Sequence, residues 1–200
     1  MPVTRRLVIA ALAATPALRR ARAQTDLRMA DRAIGPADAR VVVTEYFSLT
    51  CTHCAAFQRE TFPQVKEKLI DPGRIRYIWR EFPLDQVALT AAMVARALPP
   101  ERYEPFVTAL LASQDRWAFA RGVNATEELA KLAALAGLSR STFDSTIRDA
   151  GLKQAILAVQ EEGEKKFGVN STPSFVVNGK LTSGAVTYDA FARAVEAAAA

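Results

Sequence analysis

Residues 41–54 read Val-Val-Val-Thr-Glu-Tyr-Phe-Ser-Leu-Thr-Cys-Thr-His-Cys and combine a strand pattern with the start of a helix. The β-branched and aromatic residues at 41–47 predict a buried strand. Residues 48–50 predict a short turn, and Cys51 begins a helical stretch. The two cysteines therefore fall where a buried strand is followed by a helix.

The flanking regions extend this pattern into an α/β domain. The helix is expected to reach about Ile70 with a kink at Pro63, because proline lacks the N–H that a helix interior needs. Residues 74–82 predict a second strand, so the order strand–helix–strand implies a right-handed parallel crossover. The polar residues 24–40 are expected to be a leader into the domain.

The C-terminal half predicts a helical block, then a hairpin and a helix. Residues from about 85 to 167 have helical periodicity almost throughout. Strand character returns at 174–177, and Asn178-Gly179 is a strong hairpin turn signal. A second short strand and a terminal helix over about 187–198 follow. This order predicts an α/β fold with a central mixed sheet flanked by helices, thioredoxin-like and interrupted by an all-helical insertion.

Both cysteines and the only histidine lie within four consecutive residues, Cys51-Thr52-His53-Cys54. A C-x-x-C pair beside a strand–helix–strand pattern is a redox signature, because two intervening residues let the sulfurs meet across one helical turn. At a helix N-terminus, unpaired N–H groups and the macrodipole favour an anion and lower the pKa of the first thiol. His53 can donate a hydrogen bond or carry positive charge beside that thiolate, and Cys54 is expected to be buried.

Other chemistries fit these residues less well. A structural disulfide would close a loop of only four residues and restrict the unfolded chain little. A closed zinc site needs four ligands and the chain has no second Cys/His cluster, which leaves a thiol- or metal-binding module as the non-enzymatic alternative. Haem attachment needs histidine where Ala55 stands, and a hydrolase needs a histidine outside the pair. No metal and no cofactor beyond the cysteine pair is expected.

The excess positive charge is confined to the N-terminus. The formal net charge is +5, but residues 1–23 hold five arginines and no acidic residue, and the rest of the chain is formally neutral. A nucleic-acid-binding surface is therefore not expected. An arginine pair, a short apolar run and a small-residue cleavage pattern predict a signal peptide over 1–23, and Arg5-Arg6 favours the twin-arginine route. Residues 24–200 would then form the exported domain, in an oxidising compartment.

Three segments resemble the DsbA family of thiol–disulfide oxidoreductases. They are Phe-Ser-Leu-Thr-Cys-Thr-His-Cys at 47–54, Arg-Glu-Phe-Pro-Leu-Asp at 80–85 and the stretch 167–179. The resemblance implies a thioredoxin fold with an inserted helical domain, located in the periplasm. It also implies oxidation of dithiols in reduced, unfolded exported proteins, and reoxidation by a membrane-bound, quinone-linked partner of the DsbB type.

The resemblance also implies roles for single residues. Cys51 matches the nucleophilic cysteine, and Cys54 matches its buried partner. Pro173 matches the family's cis-proline, which faces the active disulfide. Thr172 before it is expected to offer main-chain hydrogen bonds to an extended substrate strand. Glu45 matches a buried acid under the site, which would accept a proton from Cys54.

One departure from the family pattern bears on the direction of the reaction. The most familiar oxidant of the family has proline at the position of Thr52. In this chain, we expect Thr52 to contact the substrate together with Thr172 and Pro173. A disulfide isomerase or reductase of the same fold is therefore the alternative to an oxidase. Only about 17 residues separate Gln24 from the first strand, which predicts no N-terminal dimerisation domain and favours a monomeric oxidase.

Overall fold

The computed structural model describes residues 26–184 and 187–200. The signal peptide predicted over 1–23 lies outside the described residues and stays a prediction. In the described part of the chain, five strands form one sheet in the order β1-β3-β2-β4-β5. Their bounds are Arg32–Ile34 for β1, Val41–Phe47 for β2, Ile75–Glu81 for β3, Ser174–Val177 for β4 and Lys180–Ser183 for β5.

Nine α-helices accompany the sheet in these residues. They are Thr52–Glu60 (α1), Phe62–Val65 (α2), Gln86–Ala97 (α3), Pro100–Ala112 (α4), Gln114–Trp117 (α5), Ala125–Leu135 (α6), Arg140–Thr146 (α7), Ala150–Phe167 (α8) and Tyr188–Ala199 (α9). A 3₁₀ turn over Leu27–Met29 precedes β1, and a π-helical turn over Lys66–Ile70 follows α2. Within the described ranges, none of the helices has both the length and the apolar composition that crossing a bilayer requires.

The pairing of the strands confirms the predicted fold class. β2 and β3 are parallel along their whole length, from Val41 opposite Ile75 to Phe47 opposite Glu81. β4 runs antiparallel to β2, and β5 runs antiparallel to β4, so the sheet is mixed. Helices α3 to α8 lie between β3 and β4 and form the helical insertion. Sites in open α/β sheets lie at the carboxyl ends of parallel strands, and this is where β2 leads into the cysteine pair.

The N-terminal leader contains a strand that was not predicted from the sequence. β1 pairs antiparallel with β3 at the edge of the sheet, with Ile34 opposite Tyr77. Three residues are too few to display an alternating apolar pattern, and the neighbouring residues are polar. The prediction of a leader over 24–40 is therefore wrong at Arg32–Ile34.

The predicted kinked helix from Cys51 to Ile70 is a series of shorter pieces. α1 ends at Glu60, and α2 begins at Phe62 with Pro63 in its first turn. Proline fits a first turn because the N–H groups there have no acceptor within the helix. Pro63 therefore lies at the start of a helix, and the predicted kink within one longer helix is wrong.

An aromatic cluster fixes α1 against the sheet. Phe57, in the second turn of α1, packs on Phe175 of β4 with ring centroids 4.7 Å apart. Phe191 of α9 packs edge-on against Phe175 at 5.4 Å. Tilted and edge-to-face contacts at such distances are favourable. The start of α1 is thereby held at a defined place above the sheet.

A buried ion pair joins the insertion to the sheet. Arg96 of α3 donates from Nε and Nη2 to the two carboxylate oxygens of Glu81, at 2.6 Å and 2.7 Å. The hydroxyl of Tyr103 donates to the same carboxylate at 2.6 Å. Burial alone would raise the pKa of Glu81, but the charge of Arg96 and these hydrogen bonds lower it. Arg96 also donates to the carbonyl of Ala30 at 2.8 Å, so one guanidinium connects insertion, sheet and leader.

Candidate active site

The two cysteines lie at the junction of β2 and α1. The chain leaves β2 at Phe47 and turns through residues 48–50, where the N–H of Cys51 donates to the carbonyl of Ser48 at 3.1 Å. Cys51 is the N-cap of α1, with φ −84° and ψ 117°, and α1 begins at Thr52. An N-cap in this extended conformation turns its side chain towards the free N–H groups of the first turn.

The sulfur of Cys51 is surrounded by hydrogen-bond donors. The main-chain N–H of Cys54 donates to it at 3.3 Å. The pKa of the Cys51 thiol is lowered to about 5, chiefly because the thiol of Cys54 donates to the sulfur. Burial opposes this effect, while the Thr172 hydroxyl and the N–H groups of Cys54 and His53 reinforce it. Cys51 is therefore a thiolate at neutral pH, with 7% of its surface exposed.

Cys54 has the opposite environment. It is completely buried, as the sequence predicts. Burial raises the pKa of its thiol far above the usual range, and its hydrogen bond to Cys51 and the nearby charge of Glu45 raise it further. Both cysteines are free thiols in this structure. The pair combines one anionic sulfur that solvent can reach with one protonated sulfur in the interior.

Glu45 is a buried acid on β2, as the family resemblance implies. Only 2% of its surface is exposed, and the hydroxyl of Tyr77 donates to its Oε2 at 2.8 Å. Burial raises the pKa of Glu45 to about 7, the hydrogen bond from Tyr77 acts against this shift, and the charge of Cys51 adds to it. The carboxyl group is therefore present in both protonation states near neutral pH.

The loop before β4 lies against the nucleophile. Its Thr172–Pro173 peptide bond is cis, as the family resemblance implies. The Cys51 sulfur lies 3.3 Å from the carbonyl oxygen of Thr172, to which it donates a hydrogen bond only when it is protonated. The Thr172 hydroxyl is buried and forms no regular hydrogen bond within the described residues, yet it lies close enough to the sulfur to lower the Cys51 pKa.

Thr52 and His53 lie between the cysteines with exposed side chains on the first turn of α1. The main-chain N–H of His53 donates to the Cys51 sulfur and helps to lower its pKa. The imidazole makes no hydrogen bond with any residue that the structure describes, so its role beside the thiolate stays a prediction. In residues 26–184 and 187–200, no group of three or more His, Cys, Asp or Glu side chains is arranged to hold a metal ion.

Two residues of the insertion reach the turn before α1, and neither is among the predicted site residues. Gln114 of α5 donates from Nε2 to the carbonyls of Leu49, at 2.9 Å, and Cys51, at 3.0 Å. Asp85, the N-cap of α3, accepts a hydrogen bond from the hydroxyl of Thr50 at 2.7 Å. Asp85 ends the 80–85 segment that carries the family resemblance, but neither residue's local sequence indicates its hydrogen-bond partner more than 30 positions away.

Comparison with known proteins identifies the family. Residues 28–197 match the family model described as thioredoxin. A Rickettsia typhi protein named "Putative protein-disulfide oxidoreductase" is 32% identical over 169 residues, which are 84% of this chain and 62% of that protein. The chain thus spans less than two thirds of the length of such curated relatives.

Solved structures agree with this assignment. Alpha-DsbA1 of Wolbachia pipientis is 31% identical, with a TM-score of 0.77 over 86% of this chain and 92% of that one. A protein-disulfide isomerase of Novosphingobium aromaticivorans is 26% identical, with a TM-score of 0.72 over 84% of this chain and 96% of that one. The chain therefore belongs to the thioredoxin family and, within it, to the DsbA proteins.

Proposed function

We propose that this protein is a thiol–disulfide oxidoreductase that introduces disulfide bonds into exported proteins. The observation that carries the proposal is the Cys51 sulfur, which accepts hydrogen bonds at the start of α1 and has a pKa of about 5. A thiolate of low pKa is a good leaving group. Its stabilisation also favours the reduced form of the protein, which makes the disulfide form a stronger oxidant.

The reaction begins with the oxidised protein, in which Cys51 and Cys54 are disulfide-bonded. A substrate thiolate attacks the sulfur of Cys51, the bond between the two cysteines breaks, and its electron pair passes to Cys54. A second substrate thiolate then attacks the substrate sulfur of the mixed disulfide and expels Cys51 as a thiolate. The substrate loses two electrons and gains a disulfide, and the protein gains those two electrons as a dithiol.

Glu45 is the proposed proton carrier for Cys54. Because its pKa is about 7, a protonated fraction can supply a proton when Cys54 leaves as a thiolate in the interior. In the reverse step, the carboxylate removes that proton so that Cys54 can attack. The charge of Glu45 raises the Cys54 pKa, so the two groups are electrostatically coupled.

The substrate is proposed to bind along the loop that faces the nucleophile. An extended chain can pair with the main chain of Thr172 beside Pro173, next to the Cys51 sulfur. The exposed side chains of Thr52 and His53 would border the same place, and a protonated His53 would favour the thiolate. No cofactor takes part in the proposed reaction, because the two cysteines carry the electrons.

The cellular setting is part of the proposal. The signal peptide predicted over 1–23 directs the protein to the periplasm, where disulfides form and persist. The proposed substrates are reduced, unfolded exported proteins, and no nucleic acid is involved. The protein acts as a monomer, and a membrane-bound, quinone-linked partner of the DsbB type takes up the two electrons.

A disulfide isomerase is the second candidate function. One solved relative, at 26% identity, is named as a protein-disulfide isomerase. Thr52 also stands where the most familiar oxidant of the family has proline. An isomerase corrects scrambled disulfides faster than it oxidises reduced chains, whereas an oxidase converts the reduced chains faster. The relative rates on these two substrates therefore distinguish the two functions.

The test offers the purified protein a reduced, unfolded protein and, separately, the same protein with scrambled disulfides. We expect faster conversion of the reduced substrate, and the reverse order would favour the isomerase. Cys51→Ser should abolish oxidation, since it removes the attacked sulfur. Cys54→Ser should instead accumulate a mixed disulfide with the scrambled substrate, because its Cys51 thiolate attacks a substrate disulfide, releases one substrate thiolate, and has no second cysteine to resolve the product. Oxidation by Cys51→Ser at the wild-type rate would refute the proposal.

A further inference from the structure

Gln114 connects the helical insertion to the nucleophile. It is the first residue of α5, and only 6% of its surface is exposed. One Nε2 atom donates to two carbonyls, that of Leu49 at 2.9 Å and that of Cys51 at 3.0 Å. An amide nitrogen carries two hydrogens, so both of its donor positions are used on the turn that presents the nucleophile.

The bond to the Leu49 carbonyl constrains the turn before Cys51, and the bond to the Cys51 carbonyl constrains the main chain of Cys51. The same carbonyl accepts the first bond of α1, from the N–H of Ala55 at 3.1 Å, and the N–H of Cys51 donates to Ser48. The position of the sulfur depends on the φ and ψ of this N-cap, because its side chain must point at the first-turn N–H groups. The hydrogen bond from Gln114 is a second bond to the Cys51 carbonyl. It therefore restricts rotation about the main-chain φ and ψ angles of Cys51, which would move the sulfur away from the first-turn N–H groups.

The insertion supplies a second contact to the same turn. The carboxylate of Asp85 accepts a hydrogen bond from Thr50 at 2.7 Å and also caps α3 through the N–H of Ala88, at 2.7 Å. Leu49, Thr50 and Cys51 are thus each bonded to a residue of the insertion. Of the two contacts, the one from Gln114 is buried, so water replaces it less readily than the exposed one from Asp85.

We propose that Gln114 is a positioning residue that holds the Cys51 main chain in the conformation from which its sulfur accepts the N–H groups of α1. The helical insertion, and not the thioredoxin core alone, then sets the reactivity of the nucleophile. This inference rests on the proposed function, since it concerns the same sulfur. It does not depend on which substrates the protein oxidises.

The test compares the wild type with Gln114→Met, which keeps the length of the side chain but has no donor. Gln114→Glu keeps its shape and serves as the second variant if the methionine impairs folding. The pKa of Cys51 is measured on the full reduced chain from the pH dependence of thiolate absorbance. We expect it to rise by about one unit, a tenfold change in the ionisation constant. The glutathione equilibrium should shift by up to about tenfold towards the protein disulfide.

Gln58 provides the matched control. Its Nε2 also connects α1 to the insertion, by donating to Thr108 of α4 at 3.0 Å, but it does not reach the turn at Cys51. Gln58→Met should leave the Cys51 pKa at the wild-type value. The inference is overturned if folded Gln114→Met and Gln114→Glu both retain the wild-type pKa, or if Gln58→Met raises it equally. A wild-type pKa near that of a free thiol would instead refute the proposed function.

Discussion

The main-chain N–H of Cys54 donates a hydrogen bond to the sulfur of Cys51 across 3.3 Å. The two residues are three positions apart, which places the donor of one directly over the N-cap side chain of the other. The same spacing allows the two sulfurs to bond when the pair is oxidised. The geometry that makes the disulfide possible therefore also stabilises the anion released when the disulfide is reduced.

The first prediction concerns the alkylation of Cys51 in the reduced protein. Because its pKa is lowered to about 5, the thiolate fraction is already near its maximum at neutral pH. The rate of reaction with iodoacetamide should therefore be flat between about pH 7 and pH 9. Cys51→Ser should suppress the reaction, since Cys54 is fully buried. A steep rise in rate above pH 7 would show that the thiol is not ionised.

The second prediction compares the stability of the two redox forms. In the reduced protein the Cys51 pKa is lower than in the unfolded chain, so the unfolded state binds more protons between about pH 5 and pH 8.5. The stability of the reduced form should therefore rise with pH across this window, relative to the oxidised form. Urea denaturation of both forms at several pH values measures the difference. A difference independent of pH would contradict the assigned shift.

The third prediction concerns Glu45→Gln. The folded protein raises the pKa of Glu45 from about 4.5 to about 7, so the native state binds more protons than the unfolded state in that window. The stability contributed by Glu45 is therefore lost as pH rises from about 4.5 to 7, while the contribution of Cys51 is common to the wild type and the variant. The glutamine cannot ionise, and its carbonyl can still accept the bond from Tyr77. Glu45→Gln should be more stable than the wild type at about pH 8, by roughly 3 kcal/mol, and similar to it near pH 4.

Urea denaturation of the reduced proteins checks this prediction. Tyr77→Phe is the companion variant, because it removes the hydrogen bond that opposes the shift and leaves the carboxyl in place. Measured relative to Glu45→Gln, its stability should still fall between about pH 4.5 and 7, because the contribution of Cys51 is common to both variants. Equal pH dependence in the wild type and Glu45→Gln would mean that Glu45 does not titrate in this range.

The fourth prediction concerns the ion pair between the insertion and the sheet. Arg96→Met leaves the carboxylate of Glu81 buried without its cation, which should destabilise the protein by about 3–5 kcal/mol. Adding Glu81→Gln should recover part of the loss, since the amide needs no counter-charge and can still accept from Tyr103. Thermal denaturation measures both variants. Lys131→Ala, which removes an exposed pair with Glu128, is the control. An Arg96→Met variant as stable as this control would contradict the prediction.

The parts of the fold that follow from sequence are those with strong local patterns. The predicted strand at 41–47 matches β2 residue for residue, and the strand at 174–177 matches β4. The turn at Asn178-Gly179 follows from local chemistry, since both residues have positive φ there. Buried β-branched runs and such turns are determined by neighbouring residues, so a single sequence reveals them.

The parts that do not follow are determined by distant residues. β1 forms because three residues of the leader pair with the free edge of β3. The local sequence of Arg32–Ile34 does not indicate this pairing. Gln114 looks like a solvent-facing residue of a helical stretch, and its role depends on a carbonyl 63 positions earlier. The positions of Cys51 and Cys54 were predictable from their spacing. The hydrogen bonds that hold the turn before Cys51 are made by residues of the insertion, and the sequence predicts only that the insertion is helical.

The equilibrium between this protein and glutathione tests most directly whether the Cys51 thiolate makes the disulfide oxidising. We predict a reduction potential at least about 60 mV above that of thioredoxin, which is about −270 mV. This difference corresponds to an equilibrium that favours the reduced form roughly 100-fold more than the equilibrium of thioredoxin does. A potential at or below that of thioredoxin would show that the helix N-terminus does not stabilise the thiolate enough to favour the dithiol, and would contradict an oxidase.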